Sequence, residues 1–336
     1  PRPRSTGARV DRGHTMSRYA RQTLLPEVGA QGQARLSEAR VLVVGAGGLA
    51  APALPLLAGA GVGQITILDG DTVDLSNLHR QTFFSEADCG QPKAETVAAR
   101  CRALNGETYV IGLKQALTSE NAPGSVSQAD IILDCADSYA ASYILSDTCL
   151  AQGKPLISAS VLGLSGYVGG FCGGAPSLRA VFPDAPDSGA SCATAGVLGP
   201  VVGVIGAMQA QMALNVILGL DPSPLGQLVQ YDARTLRSTG FRFDDAPEPG
   251  NCFRFLSTSQ LKDTDQISEL RSSQEAPVPI HSNATRVSPD NLHEIDPNKG
   301  KRLALCCATG LRAWRAAEQI QPDWPGEIVL VAASTS

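Results

Sequence analysis

Two basic residues, Arg80 and Lys93, accompany a loop that is rich in acidic and amide side chains. The loop, residues 69–81, reads Asp-Gly-Asp-Thr-Val-Asp-Leu-Ser-Asn-Leu-His-Arg-Gln, and Lys93 follows Gly-Gln-Pro. Guanidinium and ammonium groups neutralise a triphosphate and the charge that develops on a departing pyrophosphate. These residues therefore indicate chemistry on nucleotide phosphates.

A glycine-rich turn, Gly45-Ala46-Gly47-Gly48, lies upstream of this loop. Glycines let the backbone approach phosphate, and the helix that follows supplies free N–H groups and the positive end of its dipole. Asp69 ends the next predicted strand, where a carboxylate suits a ribose hydroxyl. The turn alone fits either NAD or an adenine nucleotide. There is no Gly-x-x-x-x-Gly-Lys-Ser/Thr, which argues against a P-loop kinase.

Two further carboxylates, Asp134 and Asp137, follow another buried strand. Ligands of open α/β sheets bind where the strands end, and carboxylates there can hold Mg²⁺ against phosphate oxygens. We favour Asp137 for this role. The alternative is that one of the two merely caps the next helix.

An alternation of apolar strands and helices positions these residues. Residues 40–45 form an uninterrupted apolar run ending in glycine, which is typical of a strand buried on both faces. The order predicts an α/β fold: a Rossmann-like, doubly wound, mostly parallel sheet, with an antiparallel extension from about residue 167. A small α/β region follows near the C-terminus. Predicted strands are 64–68, 129–133, 155–160 and 227–232, and predicted helices are 47–60, 92–105 and 200–218.

Composition narrows the function classes. The net charge of -5 argues against a general nucleic-acid binder, which needs basic surface to neutralise phosphates. Apolar stretches are broken by Gly and Pro, so we expect no membrane span. Nine cysteines, without the spacing of a disulfide framework, favour a reduced cytoplasmic protein.

Six motifs in one order make the chain resemble the MoeB/ThiF/HesA family, relatives of the ubiquitin-activating enzymes, over residues 17–245. They are Arg-Tyr-Ala-Arg-Gln at 18–22, the glycine turn, the loop at 69–81, Gly-Gln-Pro-Lys at 90–93, Asp-Cys-Ala-Asp at 134–137 and Ser-Cys-Ala-Thr-Ala-Gly-Val-Leu-Gly-Pro at 191–200.

The resemblance implies ATP-dependent adenylation of the C-terminal carboxylate of a small ubiquitin-like sulfur-carrier protein ending in Gly-Gly. It implies that Asp69 binds the ribose, that Asn77, Arg80 and Lys93 contact phosphate, and that Asp137 serves the Mg·ATP centre. It also implies a homodimer in which Arg21 reaches the neighbouring subunit's ATP.

The chain departs from the family at a structural zinc site that relatives often build from two Cys-x-x-Cys pairs. Ser177 and Ala180 stand at the first pair, and the second keeps only Cys252, with Phe255 in place of a thiol. One cysteine cannot make a tetrahedral zinc site, so we expect no structural zinc.

Other departures keep alternatives open. Ala50 replaces a glycine, Ser138 an asparagine, and Ser142 stands near a usual basic residue. A non-catalytic homologue that retains the nucleotide fold is therefore one alternative. An NAD(P)-dependent oxidoreductase is another, although it gives Arg80 and Lys93 no task. A third is adenylation of a peptide or small-molecule carboxylate.

Two cysteines are candidates for sulfur chemistry. Cys192 matches a family position beside the active centre, where a thiolate forms a thioester or acyl disulfide; the alternative is a small buried thiol. Cys307-Ala308-Thr309-Gly310-Leu311-Arg312 resembles the active loop of rhodanese domains. Backbone N–H groups there lower a thiol's pKa, and Arg312 adds positive charge, which would suit a persulfide. A decayed domain is the alternative, because the Asp-Val-Arg segment is missing.

The predicted organisation has four parts. Residues 1–16 form a disordered or cloning-derived N-terminus ahead of the ATP-binding adenylation domain, 17–245. A linker, 246–258, then leads to a truncated rhodanese-like region, 259–336.

Overall fold

The computed structural model describes residues 18–184, 196–250, 252–297 and 301–333. Its larger sheet has eight strands, and the strand order is β3-β2-β1-β4-β5-β6-β7-β8. The strands are β1 Arg40–Val44, β2 Gln64–Leu68, β3 Tyr109–Leu113, β4 Ile131–Asp134, β5 Pro155–Leu162, β6 Ser165–Cys172, β7 Gln227–Asp232 and β8 Arg237–Arg242.

Pairing within this sheet changes direction at β5. The five strands from β3 to β5 are parallel, whereas β5 to β8 pair antiparallel. Val44 lies between Leu68 and Asp134 in register, so the turns that follow β1, β2 and β4 meet at one edge. The predicted fold class, a mostly parallel α/β sheet with an antiparallel extension, is confirmed.

Helices cover both faces of the sheet, and an apolar core lies on each side. Strand β1 explains the need for both layers, because its residues 41–44 are all buried. The helices are α1 Gly29–Glu38, α2 Ala50–Ala60, α3 Lys93–Leu104, α4 Ala122–Ser127, α5 Tyr139–Gln152, α6 Leu178–Val181, α7 Gly199–Leu218 and α8 Leu311–Ile320.

Judged by length and composition alone, one helix among the described residues could cross a membrane, and this helix is α7. Half of its most apolar window is buried inside the protein, where it packs against α2, β5 and β6. Gly206 makes this packing close, because a Cβ there would lie 2.3 Å from the Leu49 carbonyl oxygen. These contacts are those of a core helix.

The C-terminal part forms a second sheet of five parallel strands in the order β11-β10-β12-β13-β9. The strands are β9 Arg254–Phe255, β10 Gln266–Glu269, β11 Thr285–Arg286, β12 Leu303–Cys307 and β13 Ile328–Ala332. This sheet begins inside the segment predicted as a linker, 246–258, because β9 pairs with β13 as an edge strand.

The two sheets share an apolar core. One continuous cluster contains α5 residues such as Tyr143 and Leu145, together with Phe255 of β9 and Trp314 of α8. Burial of aromatic side chains contributes much of the stabilising free energy of such a contact. The C-terminal part therefore packs directly on helix α5, whose first residue follows the turn after β4.

Candidate active site

A cavity of about 500 Å³ opens at the carboxyl ends of β1, β2 and β4. Its wall includes the glycine turn after β1, Asp69 after β2 and Asp137 after β4. This is the edge at which open α/β sheets bind their ligands. Arg80 and Lys93 also line the cavity, so five elements that are distant in sequence converge here.

The glycine turn is shaped by contacts that exclude side chains. Gly45 has a φ of +92°, and a Cβ there would lie 2.6 Å from the Cys135 carbonyl oxygen. A Cβ on Gly48 would lie 2.7 Å from the Val202 side chain. Gly47 lines the cavity with open space before it, because the nearest atom to a Cβ there is the Gln81 Nε2 at 3.6 Å. The backbone can therefore approach a phosphate at this turn.

Asp69 joins the glycine turn to the loop that follows β2. Its carboxylate accepts hydrogen bonds from the Ala46 N–H at 2.7 Å and the Asp71 N–H at 2.8 Å. Burial raises the pKa of Asp69, while these two N–H groups and Lys93 oppose that rise. An oriented carboxylate at this edge retains acceptor capacity for ribose hydroxyls.

The cationic side of the cavity is formed by Arg80 and Lys93. Lys93 begins α3, is only 6% exposed, and its Nζ lies 3.0 Å from the Asp71 Oδ2. Arg80 packs its stem against Gly48. Beside them, the buried Gln81 Oε1 lacks a hydrogen-bond partner among the described residues. Two cations and the free backbone N–H groups of the glycine turn, all lining one cavity, make a polar surface that fits a phosphate group.

Asp137 is exposed and lines the cavity. Within the described residues, no group of three or more His, Cys, Asp or Glu side chains is placed to hold a metal ion. Mg²⁺ does not require such a group, since it is commonly held by one or two carboxylates, substrate phosphates and water. The cavity contains such a carboxylate, Asp137, together with the glycine turn and two cations. This arrangement fits a Mg·ATP complex better than a metal ion held by protein side chains alone.

Asp134, the other carboxylate of the motif, has a different environment. It is completely buried, accepts a hydrogen bond from the Ser158 hydroxyl at 2.8 Å, and is also hydrogen-bonded by Ser142. Burial raises its pKa from 3.8 to about 6. Asp134 thus fastens β4 to β5 and to α5. Ser142, where a basic residue is common in the family, takes part in this fastening, and Ser138 begins α5 without a side-chain cap bond.

Some predicted site residues are not brought to this cavity. Asn77 ends a short 3₁₀ helix, Leu75–Asn77, and is not among the residues that line the cavity. Arg21 is exposed on the segment before α1, away from this chain's own cavity. Cys192 lies outside the described residues. Their predicted roles stay predictions.

The position expected for two Cys-x-x-Cys pairs is occupied by other contacts. Ser177 caps α6 and donates to the Glu248 Oε2 at 2.6 Å, and Cys252 is exposed. Arg179 makes two bonds to Asp147, at 2.6 and 2.9 Å, and a third to the Phe253 carbonyl oxygen. Its guanidinium carbon also lies 4.6 Å from the Tyr143 ring centroid and 5.3 Å from that of Trp314.

The loop that resembles the rhodanese active loop lies between β12 and α8. The Cys307 Sγ accepts hydrogen bonds from the backbone N–H groups of Gly310 and Ala313, at 3.1 and 3.4 Å. Arg312 turns toward Glu275, with 2.9 Å between Nη1 and Oε2, and also bonds the Leu270 carbonyl oxygen. Cys307 itself is fully buried.

Sequence reasoning missed several residues of the cavity. Four aromatic residues also line the cavity and form what we call its aromatic wall: Tyr139, Tyr143, Tyr167 and Phe182. The Tyr167 and Phe182 rings stack with centroids 5.0 Å apart. Gln81 belongs to the loop 69–81, and its position directly after Arg80 could have indicated that it lines the cavity. No local pattern marked the aromatic wall, because its members come from three separate elements.

Relatives with similar sequences cover this part of the chain. An adenylyltransferase and sulfurtransferase MOCS3 from Sus scrofa is 44% identical over 219 residues, which is 64% of this chain and 48% of that protein. One from Anopheles gambiae is 37% identical over 286 residues, 83% of this chain and 64% of that protein. The chain spans about half the length of several of the curated relatives it matches.

A solved structure, Escherichia coli MccB with MccA-N7isoASN, has a similar fold. Its TM-score is 0.62 at 22% identity, and the match covers 72% of this chain and 74% of that chain. The model of the ThiF family matches residues 19–252, which include every residue that lines the cavity. This chain belongs to the ThiF family.

Proposed function

We propose that this chain adenylates the C-terminal carboxylate of a small ubiquitin-like sulfur-carrier protein, using ATP. The observation that carries the proposal is one cavity in which a glycine turn, a ribose-type aspartate and two cations converge. A dehydrogenase needs the turn and Asp69 but not a buried lysine facing the same cavity. Adenylation needs all of them.

Each group has a task in that reaction. The carboxylate oxygen of the carrier attacks the α-phosphorus, a new P–O bond forms, and pyrophosphate leaves. Arg80 and Lys93 stabilise the negative charge that grows on the phosphates, and the glycine turn holds them in line. No general base is required, since the attacking carboxylate is ionised at neutral pH. Mg²⁺ bound by Asp137 would add positive charge at the phosphates.

The partner and the assembly belong to the same proposal. The proposed carrier ends in Gly-Gly, as the resemblance to the MoeB/ThiF/HesA family implies, and its extended tail would enter the cavity toward the α-phosphate. The protein acts as a cytoplasmic homodimer, with Arg21 completing the neighbouring subunit's site. Exposed apolar side chains support self-association: Leu24, Leu25 and Leu198 are 80%, 54% and 56% exposed, and α7 leaves part of its apolar surface uncovered.

The test is exchange of labelled pyrophosphate into ATP, with and without candidate small proteins that end in Gly-Gly. We expect exchange that depends on the carrier and disappears when its last glycine is deleted. If exchange depends instead on a free peptide or a small carboxylate, that compound and not a carrier protein is the substrate. ATP binding without exchange for any carboxylate would favour the non-catalytic homologue, and a nicotinamide-dependent absorbance change would favour the oxidoreductase.

A second activity is favoured by the Cys307 loop. Two backbone N–H groups point at its sulfur, an arrangement that stabilises a thiolate or persulfide. We infer a sulfurtransferase step in which the Cys307 thiolate attacks the outer sulfur of a thiosulfate-type donor, forming a persulfide and releasing sulfite. Sulfite release from thiosulfate in the presence of cyanide, abolished in Cys307→Ser but kept in Cys306→Ser, tests it.

A further inference from the structure

Tyr139 belongs to two sites at once. It is the first residue of α5, two positions after Asp137, and it is one of the residues that line the cavity proposed for ATP. Its hydroxyl points the other way, toward the loop between β12 and α8. A Cβ on Gly310 of that loop would lie 3.1 Å from the Tyr139 oxygen. Gly310 is also the residue whose N–H bonds the Cys307 sulfur.

Three other aromatic rings surround the ring of Tyr139. Its centroid lies 5.9 Å from that of Tyr143, 5.8 Å from Phe255 and 6.3 Å from Trp314, all edge-on. Its hydroxyl is buried, yet it has no hydrogen-bond partner among the described residues. By contrast, the neighbouring Tyr143 hydroxyl donates to the Phe182 carbonyl oxygen at 2.7 Å. An unpaired buried hydroxyl costs free energy, so the position of Tyr139 is the less firmly fixed of the two.

The Cys307 sulfur is closed off in this arrangement. The residue has no exposed surface, and Phe255 also covers this loop, since a Cβ on Gly310 would lie 2.6 Å from that ring. Of the two residues whose rings lie against Gly310, only Tyr139 also belongs to the lining of the cavity. A rotation of Tyr139 into the cavity would therefore connect Cys307 with the space where the activated carboxylate is expected.

We propose that Tyr139 is a gate between the nucleotide cavity and the Cys307 loop of the same chain. It keeps the sulfur from solvent when closed, and when open it lets a sulfur atom on Cys307 reach the carboxylate activated in that chain's own cavity. The role of the gate in sulfur transfer rests on the proposed function, whereas the physical connection between the cavity and the Cys307 loop does not. Because Tyr139 and Asp137 share one turn, occupancy of the cavity and the state of the gate are linked.

The experiment measures alkylation of Cys307 by iodoacetamide in the full chain, read by peptide mass spectrometry. The chain supplies its own references, since Cys89 and Cys252 are exposed and Cys306 is buried in the neighbouring position. We expect Tyr139→Ala to raise the Cys307 rate at least tenfold, with Cys306 still unlabelled. Saturating ATP should remove that increase, because the reagent enters through the cavity. Tyr139→Phe, which keeps the ring, should stay near the unaltered chain.

Phe255→Ala is the matched control. Phe255 also covers the loop but is not among the residues that line the cavity, so any increase in Cys307 labelling that this change causes should persist with ATP. An increase in Tyr139→Ala that ATP leaves unchanged, or no increase, would overturn the gate. If Tyr139→Ala no longer binds ATP, the effect of ATP is measured on the unaltered chain instead. There ATP should slow the alkylation of Cys307 further, and an unchanged rate would also overturn the gate. Alkylation of Cys307 does not require adenylation. A failure of pyrophosphate exchange would therefore contradict the proposed function without contradicting the gate.

Discussion

Lys93 is the residue whose surroundings say most about the proposed chemistry. An ammonium group that is nearly buried and has a mostly exposed carboxylate partner, Asp71, is costly unless another anion is also bound. We expect Lys93→Ala to lower the rate of carrier-dependent pyrophosphate exchange by roughly 10²–10³-fold, which is typical for loss of one charge-stabilising donor. The melting temperature should change little.

The control for this prediction is Lys262→Ala, which removes an exposed lysine from the C-terminal part. It should leave the exchange rate unaltered. Equal exchange in Lys93→Ala and the unaltered chain would remove Lys93 from the site.

Asp134 predicts a dependence of stability on pH. Its folded-state pKa of about 6 is above the unfolded value of 3.8, so the folded protein holds the proton more tightly. The stability of the unaltered chain, relative to Asp134→Asn, should therefore fall as pH rises from about 4 to about 6, by about 3 kcal/mol in all. Urea unfolding of both proteins at pH 4.5 and 7.5 should show about 2 kcal/mol of this difference, because part of it is already lost at pH 4.5. A difference that does not change with pH would show that the carboxyl is not held in its protonated form.

Residue types were predictable where a motif specified them. Gly45, Asp69, Arg80 and Lys93 follow from the ordered motifs, and the cavity brings them together. The pairing of Lys93 with Asp71 was not predictable, because the sequence gives no distance across the turn that separates α3 from β2. Asn77 shows the opposite case, since its place in the motif did not bring it to the wall of the cavity.

At the scale of elements, Arg179 joins three of them: α6, α5 and the backbone beside β9. Its guanidinium is nearly buried and makes bonds to Asp147 and Phe253. We expect Arg179→Ala to lower the free energy of unfolding by about 3 kcal/mol, because it removes one partner of a buried pair and the support of two rings. Denaturant unfolding measures it.

Arg40→Ala provides the comparison, since Arg40 pairs with Asp130 at 2.7 Å on the surface, where about half of its side chain is exposed. That change should lower the free energy of unfolding far less than Arg179→Ala does, because solvent screens an exposed ion pair. Similar losses in both variants would mean that the buried contacts of Arg179 do not stabilise the fold.

The elements of the larger sheet were easier to predict than those of the smaller one. Long apolar runs such as 40–45 identify buried parallel strands by themselves. Strand β9 has only two residues, and its partner β13 is remote in sequence, so no local pattern distinguishes it from a linker. The aromatic contacts of α5 with Phe255 and Trp314 are equally non-local.

For the whole molecule, the proposed homodimer makes a testable demand on Arg21. Arg21→Ala and Lys93→Ala should each be inactive alone, because one lacks the residue that reaches across and the other a residue of the receiving site. A mixture of the two, after subunit exchange, should recover about one quarter of the unaltered activity. This follows because half of the random dimers are mixed and each has one intact site. Pyrophosphate exchange on the mixture measures it, and no recovery would mean that Arg21 does not act across subunits.

The pairing of β9 with β13 also has a consequence for synthesis on the ribosome. Phe253 and Phe255 are translated soon after the last strand of the larger sheet. Strand β9, which contains Phe255, can pair with β13 only when residues 328–332 have been made. Domains fold largely in the order in which they are translated. The nascent chain therefore carries an uncovered aromatic patch on α5 until residues 328–332 have been made.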